Sequence, residues 1–192
     1  MNLKTRDLSM IAMFAALTAV GAFIKIPLPI VPFTLQYFFC ALGAMILGSK
    51  KGALAQVLYV LMGLIGIPVF TQGGGIQYIF NLTFGYLIGF IVGAFVIGKI
   101  IENVKNINLI KVLATCILGL FIICLFGASH MYIIYNFYLG QAIGIWKIVN
   151  IGVLAFLPGD LLLSVIISVV GVKVIPVLRR LGYINVEKIK LN

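Results

Sequence analysis

Six apolar stretches, separated by short segments rich in polar residues, glycine or proline, set the pattern of this chain. They cover Leu8–Ile26, Thr34–Gly48, Gly52–Val69, Asn81–Ile101, Leu109–Ala128 and Leu157–Ile175. Because about 20 apolar residues in a helix cross the hydrocarbon core of a bilayer, the pattern predicts six transmembrane helices. The second and third stretches are short on this count, so we expect their ends to differ from these bounds. The first has no small-residue cleavage site and precedes Pro27, so we expect a retained helix, not a signal peptide.

Composition places the chain among membrane proteins. Hydrophobic residues make up 63% of the 192 residues and charged residues 9%, which is more apolar surface than a soluble domain could cover. We therefore expect an all-α polytopic membrane protein in which residues 1–192 form one domain. The chain contains no G-x-x-x-x-G-K-[S/T] motif and leaves no room for a large soluble domain, so any ATP hydrolysis would require a partner.

The basic residues that give the chain its net charge of +10 flank the predicted helices and do not form a nucleic-acid-binding patch. If the N-terminus lies in the cytoplasm, only Lys25 and Lys147 lie outside. The other basic residues all fall on the inner side: Lys4, Arg6, Lys50, Lys51, Lys99, Lys105, Lys111, Lys173, Arg179, Arg180, Lys188 and Lys190. This asymmetry predicts an even number of helices with both termini in the cytoplasm.

Asp160 is an acid within an apolar run. The other three acids, Asp7, Glu102 and Glu187, lie in polar or basic segments. A carboxylate at membrane depth costs roughly 2.5 to 3.5 kcal/mol on insertion scales, so Asp160 is expected to face a polar cavity and to bind a ligand. A helix cap after Pro158-Gly159 and an ion pair with Lys147 are alternatives.

The predicted outer loops are rich in proline, glycine and amide side chains, whereas the predicted inner loops are basic. Residues 26–36 contain three prolines, which make the segment stiff. Residues 68–78 contain Gly73-Gly74-Gly75, which indicates either a flexible turn or a lid over a ligand. Asn81 and Thr83 follow on the same side as Asp160. An amide and a carboxylate together can bind a urea-like group, although Asn81 is equally suited to cap a helix.

Cysteine and histidine residues give little indication of chemistry. Cys40, Cys116 and Cys124 lie in apolar stretches without the spacing of metal ligands, so we expect buried packing residues and neither a metal nor a cofactor. His130 precedes Tyr132, Tyr135, Phe137 and Tyr138, a cluster typical of an interfacial aromatic belt.

The first stretch carries small residues at helical spacing. Ala12 pairs with Ala16, and Ala15 with Ala19, in the small-x-x-x-small pattern that lets membrane helices approach closely. The pattern is compatible both with packing inside the chain and with a surface for another subunit.

Four segments, in this order, resemble the BioY family. They are Pro29-Ile30-Val31-Pro32-Phe33-Thr34-Leu35-Gln36, then Gly66-Ile67-Pro68-Val69-Phe70 with the glycines, then Asn81 to Phe90, then Leu157-Pro158-Gly159-Asp160-Leu161. The resemblance covers almost the whole chain. It implies the six-helix fold of an S-component, the biotin-binding subunit of an energy-coupling-factor (ECF) vitamin transporter in a prokaryotic plasma membrane. It also implies a transmembrane coupling protein and two ATPase subunits as partners.

The resemblance implies a set of site residues as well: Asp160, Asn81, Gln36, Thr34, Tyr86 and Gly74 for the ligand, and Ala12 and Ala16 for the coupling protein. Family members usually carry Lys where this chain has Leu163, and Pro where it has Leu82. Lys147 or Lys25 is a candidate to replace the missing lysine. Biotin and a related small carboxylate such as lipoate both remain possible ligands, and a homo-oligomer is compatible with the sequence.

Two other functional classes fit the sequence less well. A membrane enzyme such as an intramembrane aspartyl protease would need a second acid facing Asp160, and no other acid lies in a predicted helix. A channel or passive facilitator would place polar residues along its pore, whereas the polar residues here cluster at one face of the membrane.

Overall fold

Seven α-helices make up most of the part of the chain that the computed structural model describes, residues 3–28 and 30–180. They are α1 (Thr5–Phe23), α2 (Gln36–Leu47), α3 (Ser49–Leu64), α4 (Phe84–Asn103), α5 (Leu109–Ile133), α6 (Ile145–Val149) and α7 (Leu157–Arg180). A 3-10 helix (Ile76–Phe80) precedes α4, and π-helical segments (Ile134–Tyr138 and Asn150–Leu154) continue α5 and α6. Between α1 and α2, β1 (Lys25–Ile26) pairs with β2 (Phe33–Thr34) in antiparallel register.

Four helical segments of the described chain are long and apolar enough to cross a membrane. They are Thr5–Phe23, Phe84–Asn103, Leu109–Tyr138 and Leu157–Arg180. Helices α2 and α3 occupy the second and third predicted stretches but contain only 12 and 16 residues, fewer than a helix needs to cross a bilayer without help. The count of six transmembrane helices and the cytoplasmic placement of both termini therefore stay predictions. Lys188 and Lys190, which contributed to the charge argument, lie outside the described residues.

Several predicted helix ends were wrong for identifiable reasons. Helix α3 ends at Leu64 and not at Val69, because Gly66 has a φ of +108° and Pro68 follows. Helix α5 continues beyond Ala128, since aromatic residues extend its apolar surface. Helix α6 was not predicted because its apolar run is short.

Glycines let α4 pack closely against α5, the most extensive helix contact in the described chain. Gly85, Gly89 and Gly93 recur every four residues along the face of α4 that meets α5. A Cβ atom added at Gly89 would lie 2.8 Å from the Ile123 Cα atom, closer than any side chain tolerates. This spacing brings the two backbones together in the manner of small-x-x-x-small membrane helices.

Polar contacts gather where α2 and α4 end. The Lys51 ammonium lies 2.7 Å from the Asp7 carboxylate, joining α3 to α1. Glu102 accepts hydrogen bonds from the backbone N–H and the hydroxyl of Ser49, each at 2.8 Å, at the start of α3. Arg179 of α7 donates to the Ile101 carbonyl at 2.6 Å. These contacts satisfy helix-terminal groups and fix four helices together at one end of the bundle.

The four alanines of α1 divide between two environments. Ala15 and Ala19 are buried against the other helices, at 0% and 8% exposure. Ala12 and Ala16 are exposed along the adjoining strip of the same helix. The second pair therefore does not serve packing within the described chain.

Candidate functional site

A cavity lies at the opposite end of the bundle, where α2, α4 and α7 begin. The empty space of this cavity, counted out into the open solvent at its mouth, is about 560 Å³. Its walls are formed by Val31, Pro32, Phe33, Thr34, Gln36, Tyr37, Thr71, Tyr78, Thr83, Tyr86, Leu87, Phe90, Ile123, Phe156 and Asp160. The lining is thus mainly apolar and aromatic, with few polar groups.

Asp160 supplies the charge of this cavity. It lies in the first turn of α7, and only 6% of its surface is exposed. No described residue donates a hydrogen bond to its carboxylate oxygens, whereas its backbone carbonyl accepts one from the Ser164 hydroxyl at 2.8 Å. The amino-terminal ends of helices carry partial positive charge, which stabilises a carboxylate in this position. An unpaired, buried carboxylate on a cavity wall is suited to accept hydrogen bonds from a ligand.

Thr34 and Gln36 form a polar wall at the start of α2. The Thr34 hydroxyl lies 3.1 Å from Gln36 Oε1 and accepts from the Gln36 backbone N–H at 3.3 Å. Gln36 Nε2 donates to the Tyr59 hydroxyl at 2.7 Å, and Tyr59 donates to the Val69 carbonyl at 3.1 Å. Since an amide nitrogen carries two hydrogens, Gln36 retains one N–H for a ligand.

The glycine-containing loop contributes a second wall through Thr71 and Tyr78. The Tyr78 hydroxyl lies 3.1 Å from the Thr71 hydroxyl and 2.9 Å from the Thr83 hydroxyl, so the three form one chain of hydrogen bonds. Gly75 has a φ of +108°, and its N–H donates to the Gly63 carbonyl at 2.7 Å, which anchors the loop to the end of α3. The loop thus forms part of the cavity wall.

Aromatic side chains make up much of the apolar wall. Tyr86 of α4 packs edge-to-face against Phe156, with ring centroids 5.9 Å apart, and Phe90 lies one helical turn further along α4. The Tyr86 hydroxyl donates to the backbone carbonyl of Gly152 in the π-helical segment that follows α6. This bond holds the segment before α7 against α4 and so positions the wall next to Asp160.

The structure brings together four of the predicted ligand-binding residues, Asp160, Gln36, Thr34 and Tyr86. Asn81 does not line the cavity. Its Oδ1 atom accepts from the Thr83 N–H and hydroxyl at 3.0 and 2.8 Å, and its Nδ2 atom donates to Gln72 at 2.8 Å. Asn81 is also not the predicted cap of α4, since the N-cap of that helix is Thr83. A role of Asn81 in ligand binding stays a prediction.

Gly74 and Lys147 also lie outside the cavity lining. Gly74 packs so closely against the Ile67 carbonyl that a Cβ atom could not be accommodated, which gives it a role in shaping the loop. Lys147 is exposed in α6 and makes no ion pair with Asp160. Sequence reasoning missed Tyr37 and Phe156, whereas Thr71 and Tyr78 belong to the segment that it offered as a possible lid. The four-residue spacing of Gln36 and Cys40 could have indicated the buried face of α2. It could not have indicated at which end of that helix the cavity lies.

The remaining candidate chemistry is structural. Cys40, Cys116 and Cys124 are buried and free, as expected. His130 donates from Nε2 to the Asn81 backbone carbonyl, 3.2 Å away, and packs edge-on against Phe84. Within residues 3–28 and 30–180, histidine, cysteine and acidic side chains form no cluster suited to a metal ion.

Comparison with known proteins shows the family of the chain. The model of the BioY family matches residues 1–180. The chain belongs to the BioY family. It is 41% identical over 187 residues to a probable biotin transporter BioY of Lysinibacillus sphaericus, an alignment that covers 97% of this chain and 95% of that one. It is 42% identical over 169 residues to the biotin transporter BioY of Thermotoga maritima, covering 88% and 95% of the two chains.

A solved structure has the same fold as this BioY family member. It is the crystal structure of the S-component for biotin from an ECF-type ABC transporter, with a TM-score of 0.79 and 23% sequence identity. The similarity covers 90% of this chain and 94% of that one. At this identity the likeness shows that the chain adopts the S-component fold.

Proposed function

We propose that this protein is the biotin-binding subunit of an ECF-type, ATP-driven uptake transporter in a prokaryotic plasma membrane. The observation that carries the proposal is the unpaired Asp160 carboxylate on the wall of a largely apolar cavity, in a chain whose BioY relatives are biotin transporters. The chain itself is a binding subunit and not an enzyme, and hydrolysis of ATP belongs to its partner subunits.

The chemistry of biotin suits the polar groups of the cavity. Its ureido ring has two N–H donors and one carbonyl acceptor. Asp160 accepts hydrogen bonds from the ring N–H groups, and the free N–H of Gln36 donates to the ring carbonyl. Tyr86, Phe90 and Phe156 cover the apolar thiophane ring and chain. Lipoate, which has no N–H donors, would leave the buried Asp160 carboxylate without a partner, and this cost favours biotin.

The exposed alanines of α1 support the proposed assembly with a coupling protein. Ala12 and Ala16 present a smooth surface away from the rest of the chain, which permits close approach of a helix from another subunit. The cavity lies at the amino-terminal end of α2, and the Asp7–Lys51 pair lies at the other end of the bundle. In the proposed topology, both chain termini and the ATPase subunits lie on the Lys51 side.

Replacing Asp160 with asparagine tests the proposed recognition of biotin. Asp160→Asn keeps the shape of the side chain but removes a charge-assisted hydrogen bond of roughly 1.5 to 3 kcal/mol, so biotin affinity should fall about 10- to 100-fold. Equilibrium binding of labelled biotin to the detergent-purified variant measures this loss.

Asp7→Asn is the matched control, since it makes the same chemical change at the other end of the bundle and should leave biotin affinity intact. Unchanged biotin affinity in folded Asp160→Asn protein would refute the assigned role of this carboxylate.

A further inference from the structure

The cavity contains an acid but no base. Among its described lining residues there is no lysine and no arginine, and Asp160 is the one carboxylate. Biotin brings a second carboxylate at the end of its valeryl chain. Two like charges at one site repel each other, so a cation near the mouth of the cavity would stabilise the bound state.

Lys25 is tied to this mouth at two points. Its backbone in β1 pairs with Thr34 of β2, and Thr34 lines the cavity. Its side-chain ammonium donates to the backbone carbonyl of Thr71 at 2.7 Å, and Thr71 lines the cavity from the glycine-containing loop. The ammonium therefore bridges the two loops that border the opening.

We infer that Lys25 binds the carboxylate of the ligand and makes the site selective for acids over their amides; this inference rests on the proposed function. An ammonium group has three donors, and the Thr71 carbonyl uses one. Lys25 is exposed, so its other donors are accessible to a ligand that enters the cavity. Lys147, the other lysine on the predicted outer side, is on α6 and has no comparable tie to the cavity walls.

The hydrogen bond to Thr71 gives this interaction a second consequence. A ligand carboxylate bound to Lys25 would contact the same ammonium group whose hydrogen bond to Thr71 already joins β1 to the loop that carries Thr71 and Tyr78. The charged end of the ligand therefore binds where both border segments meet, while the ureido ring lies deeper, at Asp160.

Binding of biotin and of its primary amide to Lys25 variants tests the inference. The amide retains the ureido ring and the apolar chain but lacks the negative charge. The wild-type protein should bind biotin about ten-fold more tightly than the amide, because a charge-assisted hydrogen bond at an exposed mouth lies at the lower end of its range. Lys25→Met should lose this ten-fold preference by weakening biotin alone, and Lys25→Arg should retain most of it.

The controls separate charge recognition from loop support. Lys111→Met removes another lysine that donates to a backbone carbonyl, that of Asn106 at 3.2 Å, far from the cavity, and should leave the preference unchanged. Equal weakening of both ligands by Lys25→Met would show that Lys25 only supports the loop, and unaltered binding of both would show no role; either result overturns the inference. A wild-type protein that binds neither ligand would instead refute the proposed function, and the inference with it.

Discussion

At the scale of single residues, two buried glutamines have contrasting surroundings. On the cavity wall, Gln36 accepts from the Thr34 hydroxyl through Oε1 and donates one N–H of Nε2 to the Tyr59 hydroxyl. Gln56 of α3 donates from Nε2 to the Thr18 hydroxyl at 3.2 Å, but its Oε1 atom has no hydrogen-bond partner although the residue is 1% exposed. A buried acceptor without a partner costs about 1 to 3 kcal/mol, so Gln56 contributes little net stability.

Methionine substitutions at these two glutamines should separate their roles. Gln56→Met removes the unsatisfied oxygen at similar volume, so the melting temperature should stay the same or rise and biotin affinity should not change. Gln36→Met removes a cavity donor, so biotin affinity should fall about ten-fold. Thermal unfolding in detergent and a biotin titration measure both effects. A marked loss of stability in Gln56→Met would indicate that Oε1 does hold a partner.

The residues of the site differ in how well the sequence could predict them. Asp160 was predictable because a carboxylate in an apolar helix is costly and has few explanations. Asn81 was less predictable, since an amide suits a ligand and a helix start equally well, and its bonds to Gln72 and Thr83 depend on how the preceding loop folds. Tyr37 could not be distinguished from the other aromatic residues of apolar segments, because its contribution depends on how the helix ends converge.

At the scale of elements, hydropathy located every long helix of the described chain, but it misplaced helix ends that are set by backbone geometry. The stretches that became α1, α4, α5 and α7 are long and apolar enough to be recognised singly. Helix α6 and its π-helical continuation form a ten-residue apolar segment that carries no such signal. Helix α3 stops at Leu64 because of local backbone constraints at Gly66 and Pro68, which a count of apolar residues does not include.

The glycine-containing loop illustrates a limit of the same kind. Three successive glycines predicted either a plain turn or a lid, and the structure places Thr71 and Tyr78 of this loop on the cavity wall. Its hydrogen bonds to Gly63 and Lys25 tie it to the end of α3 and to β1. Movement of the loop when a ligand enters or leaves stays a prediction, since glycine composition indicates freedom without showing its use.

At the scale of the whole molecule, the two proposed functions occupy different parts of the surface. The ligand cavity lies at one end of the helices, and the exposed alanines lie along the side of α1. The sequence predicted both features but could not tell packing alanines from exposed ones, because both pairs have identical spacing. Only the position of α1 against its neighbours shows that Ala12 and Ala16 face outward.

A bulky residue on this face should separate uptake from binding. Ala16→Trp should leave biotin affinity unchanged, because the residue is exposed and does not line the cavity. It should abolish ATP-dependent biotin uptake by proteoliposomes that also contain the coupling protein and the ATPase subunits, since it prevents close helix approach.

Leu125→Trp on α5 is the matched control, because Leu125 is 53% exposed on a different helix and should tolerate the change in both assays. Loss of biotin binding in Ala16→Trp would instead assign Ala16 to internal packing, and wild-type uptake would show that no partner docks there.

The central claim, that this chain alone recognises biotin through its outer cavity, is tested most directly by equilibrium titration of the purified wild-type protein. Biotin and lipoate are titrated in detergent, without ATP and without partner subunits. We expect saturable binding of one biotin per chain. Lipoate should bind at least ten-fold more weakly, because it has no N–H group to donate to the Asp160 carboxylate. No saturable biotin binding, or lipoate affinity equal to that of biotin, would contradict it.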